Sequence, residues 1–189
     1  MDAFSYLSVL LSIIIGLGIA QVLQGYRVLL LSRSRVRLYA PTLIWSGLLL
    51  AFSAQLWWAS FGLASHEHWD FATFGVILLQ TVLLYMMCAI VLPDIPQSGD
   101  LDLKEHYYRE VTPFFSISLM MLGVSVIKDF MLNDRLPGRE NLAFHSLFAV
   151  ISIAALSKRR ARVHEAMAGA MVLLIFAYVS LLFARLGQT

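Results

Sequence analysis

The sequence is a succession of long tracts without charge, separated by short segments into which almost every charged residue is gathered. Read from charge to charge, with histidine treated as polar, the tracts cover residues 3–26, 38–65, 71–93, 111–127, 146–157 and 166–184. A helix rises 1.5 Å per residue, so about 20 apolar residues cross the hydrocarbon of a bilayer. The first three tracts exceed that length, and the fourth and sixth approach it. The fifth reaches it only when residues 142–145 join, which places His145 about one turn inside its end. The expected fold is all-α: a polytopic transmembrane helical bundle of six spans, with residues 1–189 forming a single integral membrane domain.

Composition agrees with the tracts. Hydrophobic residues make up 59% of the chain and charged ones 14%, where a soluble domain carries about a quarter charged. The apolar excess recurs along the whole length, so no stretch is left over for a soluble domain. Asp2 is the only charge before Arg27. The first span therefore lacks the basic flank of a cleavable signal peptide and is expected to stay attached.

Positive charge retained in cytoplasmic loops sets orientation. One set of alternate loops holds Arg27, Arg33, Arg35, Arg37, Lys104, Arg109, Lys158, Arg159, Arg160 and Arg162, ten residues. The other holds four: Lys128, Arg135, Arg139 and Arg185. Both termini are thus expected on the non-cytoplasmic side. Size and texture resemble small polytopic inner-membrane proteins of bacteria. That resemblance implies a multi-pass place in the inner (plasma) membrane, and no residue roles.

Several function classes are excluded or disfavoured. The net charge of +2 is small and confined to loops, so nucleic acid is not an expected partner. The lone Cys88 permits neither an intrachain disulfide nor a CxxC pair. The chain has no GxxxxGK[ST], GxGxxG, HExxH or GxSxG motif. No convergent acid, base and nucleophile emerge, so an enzyme is the third reading, and no cofactor is identified.

The candidate groups are few. Gln55 and Gln80, on a predicted hairpin of the second and third spans, both fall about 15 Å below the outer surface. They would meet there, either as an interhelical amide bond or as a polar lining. Lys128 and Asp129 close the fourth span as an interfacial pair, or, if Asp129 faces inward, as a relay for a proton or cation. His66, His68 and Asp70 in the second connection share an outer surface with His145, a possible metal set by ligand chemistry alone. On the first span Ser8, Ser12, Gly16 and Ala20 recur every four residues, a small-residue face for close helix packing. Gly47, Ala51, Gln55 and Ala59 repeat the spacing on the second span and are the expected partner face. Lys158, Arg159, Arg160 and Arg162 form a basic cluster suited to anionic lipid headgroups. Asp102 followed by Glu105 has capping-box spacing and predicts the start of the fourth helix, with Pro113 a place for a kink.

Two readings of function follow. The first is a small protein that moves or conducts a small solute or ion through the bundle, past Gln55 and Gln80. The second is a non-catalytic accessory subunit whose small-residue face docks onto another membrane protein or a second copy.

Overall fold

The computed structural model describes residues 3–66, 69–94 and 100–186, nearly all of them helical. The helices are α1 (Ala3–Leu31), α2 (Ala40–Ser60), α3 (Phe71–Ile90), α4 (Leu103–Asn133), α5 (Arg139–Ser157) and α6 (Ala161–Leu186). All six are long and apolar enough to cross a membrane, as a multi-pass integral membrane protein requires. Two short strands, β1 (Val36–Arg37) and β2 (Leu101–Asp102), pair in parallel, Val36 with Leu101 and Arg37 with Asp102.

The helices overrun the uncharged tracts. α1 continues past Arg27 to Leu31, and α4 begins at Leu103 instead of 111. A charge ends the hydrocarbon span but not the backbone hydrogen bonding, because long side chains reach back to water while the helix continues. The expected cap of α4 forms, with Asp102 Oδ1 accepting from the N–H groups of Lys104 (2.8 Å) and Glu105 (3.2 Å). Pro113 lies inside α4 without ending it. What ends it is Asp134, left-handed at φ 50°, whose N–H donates to the Phe130 carbonyl at 2.9 Å. Aspartate tolerates that conformation better than most side chains. Residues 142–145 do join α5, so the fifth helix has its full span.

Consecutive helices run up and down. At one end α2 meets α4 where Thr42 Oγ1 donates to the Leu103 carbonyl (3.2 Å), and α4 meets α6 through Tyr107 and His164. That end carries the ten basic residues named above and is called the basic end. Its half of the bundle is packed with buried aromatic side chains. Trp45 is fully enclosed, edge-on to Phe114 and Phe115 and stacked on Phe148 at 6.0 Å.

The face that α1 buries is not the one expected. Leu7, Leu11, Ile15, Val22 and Leu29 are buried, whereas Ser12, Gly16 and Ala20 are exposed and Ser8 is half-buried. A Cβ added at Gly16 would meet nothing within 4 Å. Gly47, Ala51 and Ala59 on α2 are exposed as well, so the two small-residue stripes do not interlock. Ser12 instead accepts a hydrogen bond from Trp57 Nε1 at 3.3 Å. The close approach lies elsewhere on α1: a Cβ at Gly25 would stand 2.6 Å from Leu92 Cβ on the segment following α3, and one at Gly18 would touch Cys88 Sγ at 3.5 Å. Turning larger side chains inward buries more surface, and the glycines that matter are those where helix backbones draw together.

Candidate functional site

The half of the bundle away from the basic end is hollow. A cavity of about 630 Å³ lies among all six helices. Four of them face it with the same spacing, the i, i+3, i+4, i+7 stripe that one helix side presents. α2 contributes Phe52, Gln55, Leu56 and Ala59, and α3 contributes Ile77, Gln80, Thr81 and Leu84. α5 contributes Asn141, Phe144, His145 and Phe148; α6 contributes Met171, Leu174, Ile175 and Tyr178. α4 continues the pattern further, through Met121, Leu122 and Ser125 to Lys128, Asp129, Leu132 and Asn133. From Met121 to Asn133 the cavity therefore runs about 18 Å along α4. Its inner end meets the aromatic-packed half at Phe148, which stacks on Phe52 (5.7 Å) as well as on Trp45.

Four of the candidate groups from the sequence, Gln55, Gln80, Lys128 and Asp129, line this one space, and so do His66 and His145. Gln80 is 8% exposed, and its Oε1 is buried with no hydrogen-bond partner. The amide bond expected between Gln55 and Gln80 is not among the hydrogen bonds of the described residues. A buried carbonyl oxygen without a donor is costly and uncommon, and this one is covered by protein atoms on a residue of the cavity wall. Lys128 Nζ and Asp129 Oδ1 are 3.7 Å apart, with side chains 18% and 22% exposed. A well-made charge-assisted bond is about 2.7–2.9 Å. The pair is loose, and both charges retain unused hydrogen-bonding capacity.

Three of the four groups of the suggested metal set, Asp70, His145 and His66, fall within the described residues. Asp70 caps α3, its Oδ1 accepting from the Thr73 N–H at 2.6 Å, and that bond holds its carboxyl below the ordinary value. His145 Nδ1 donates to the Asn141 carbonyl at 2.8 Å, which leaves the lone pair on Nε2. The ring of His66 stands edge-on to Trp69. His68 lies outside the described residues. Among the described residues no three His, Cys, Asp or Glu side chains come together as a metal group.

Two histidines near the basic end, His106 and His164, are buried. His164 Nε2 donates to the Lys158 carbonyl (2.6 Å), so Nδ1 accepts from the Tyr107 hydroxyl (2.9 Å). His106 Nε2 donates to the Ile90 carbonyl (3.1 Å) and its Nδ1 accepts from Arg109 (3.0 Å). Each imidazole thereby satisfies a carbonyl at a helix C-terminus, a group with no partner inside its own helix. Sequence position alone put them at helix ends; what it lacked was the neighbouring helix that covers them. Lys158, Arg159, Arg160 and Arg162 are exposed around the α5–α6 turn, where Arg159 also reaches Thr112 Oγ1 at 3.5 Å.

Sequence reasoning also missed Ser125, Asn133, Asn141 and Tyr178 in the cavity wall. The signal was present as the 3- and 4-residue spacing of Ser125, Lys128, Asp129 and Asn133 on α4. Comparison with models of protein families, with curated proteins and with solved structures finds no match to this chain.

Proposed function

We propose that the chain is a small transport or channel protein of a bacterial inner membrane, which takes a small solute or ion into the cavity and passes it through the bundle. The observation that carries this reading is Gln80: a buried amide oxygen without a partner, in the wall of a cavity large enough for a small molecule. The excess of basic residues supports the orientation, with the basic end cytoplasmic, both termini outside and the cavity facing outward. Lys158, Arg159, Arg160 and Arg162 then meet anionic headgroups of the inner leaflet.

The test is flux of ions and small polar solutes into proteoliposomes. The double substitution Gln55→Leu, Gln80→Leu is expected to preserve a monodisperse, folded protein and to abolish flux. Flux equal to the parent's overturns the pathway through these residues.

A second reading has its own observation. Gly16 stands on an exposed face with nothing near its Cα side, which suits docking onto a partner helix in an accessory subunit. In that case Gly16→Leu releases a co-isolated membrane protein from gently solubilised membranes. Retention of the partner by the variant counts against it.

A further inference from the structure

We infer that the cavity takes a zwitterion with an apolar body, of the class of an α-amino acid with a large aliphatic or aromatic side chain; the inference rests on the reading that the cavity receives a solute. Among the described residues, Lys128 and Asp129 are the only Lys, Arg, Asp or Glu residues in the cavity wall. A simple cation or anion placed between them gains from one and loses to the other at similar distance, so the pair gives it little net attraction. An ammonium and a carboxylate carried by one carbon have a separation comparable with the 3.7 Å between Nζ and Oδ1. Such a head group answers both charges at once, the carboxylate to Lys128 and the ammonium to Asp129. Because the pair is loose, binding does not have to break a strong internal bond first.

The remaining wall fits the rest of the molecule. Phe52, Leu84, Met121, Phe148 and Met171 form an apolar lining, which favours an apolar side chain by removing it from water. Gln80 adds a hydrogen-bond acceptor. The last torsion of a glutamine side chain is broad, and no hydrogen bond holds this amide, so Oε1 turns readily to a donor on the ligand or to a water bound with it. A cavity of about 630 Å³ accommodates an amino acid of this size together with solvent.

A zwitterionic lipid headgroup carries the same two signs of charge, so the experiment separates the two sources. The full chain in phosphatidylglycerol nanodiscs is titrated with tritiated phenylalanine and leucine, then competed with phenethylamine and phenylpropionate. Saturable binding is expected, with each single-charge analogue competing about tenfold more weakly or worse, the loss of one charge-assisted bond. Lys128→Met should erase the advantage of phenylalanine over phenethylamine, and Asp129→Asn its advantage over phenylpropionate. Misfolding does not produce that crossed pattern. Equal competition by all three compounds, or no saturable binding to the parent protein, overturns the inference. Displacement of the probe by phosphatidylethanolamine reassigns the charge pair to lipid and also overturns it. Saturable binding without flux in proteoliposomes removes the transport reading and keeps the ligand class. Flux of another solute that depends on Gln80, with no amino-acid binding, does the reverse.

Discussion

Replacing Gln80 with methionine should make the protein more stable and less functional at the same time. Methionine is unbranched and flexible like glutamine, so it fills the same space while removing the polar amide. In the parent that amide is 8% exposed and Oε1 has no partner. An unsatisfied buried acceptor costs about 1–3 kcal/mol, and the substitution should recover a part of it, about 1 kcal/mol. For a chain of this size, 1 kcal/mol corresponds to a Tm rise of about 2–4 °C. Thermal unfolding in detergent, followed by tryptophan fluorescence, measures the rise, and proteoliposome flux measures the loss. A group retained for function at a cost to stability gives these two opposite signs. A lowered Tm would refute the reasoning, since it would mean that the amide is bonded and structural. A raised Tm with unchanged flux would refute the functional half alone.

Three further outcomes follow from the packing. Gly25→Ala should destabilise by about 1–3 kcal/mol, because its Cβ would stand 2.6 Å from Leu92 Cβ, whereas Gly16→Ala should be nearly neutral; equal Tm values for the two would contradict the α1 packing described. Tyr107→Phe leaves His164 Nδ1 buried without a donor and should cost about 1–3 kcal/mol in chemical unfolding, with no loss indicating a different partner. The carboxyl of Asp70 titrates below its ordinary value because it caps α3, so its stabilisation is present above that value and is lost as pH falls through the depressed one. A Tm–pH curve of Asp70→Ala that still shows the parent's acid-side decline in full would rule out this contribution.

The six helices were legible because charge marks where hydrocarbon ends, and the absence of charge over about 20 residues is hard to satisfy in any other way. Helix ends were less so. Leu103 and Asp134 are set by a side-chain cap and by a left-handed residue, and only the first has a clear sequence signature. The choice of packing face was misread on α1. Small residues every four positions mark where another helix is able to approach, not whether one does, and the larger Leu7, Leu11 and Ile15 decided the matter. The polar groups of the cavity were expected in small sets, Gln55 with Gln80, Lys128 with Asp129 and His66 with His145. That these sets line one space together with Ser125, Asn133, Asn141 and Tyr178 depends on the rotation of each helix about its axis, which is settled by neighbours distant in sequence. The buried histidines share that reason: His164 has its partner on α4, at Tyr107.

The aromatic floor beneath the cavity has a kinetic consequence. Trp45, Phe52 and Phe148 lie one upon the next in near-parallel array, and Phe114 and Phe115 brace Trp45 from the side. A molecule bound above them meets a closed door whose leaves belong to three different helices, α2, α4 and α5. On the proposed transport reading, passage would require these rings to move aside, so turnover would be slow, saturable and steeply temperature-dependent, the behaviour of a carrier that cycles between two shapes and not of an open pore.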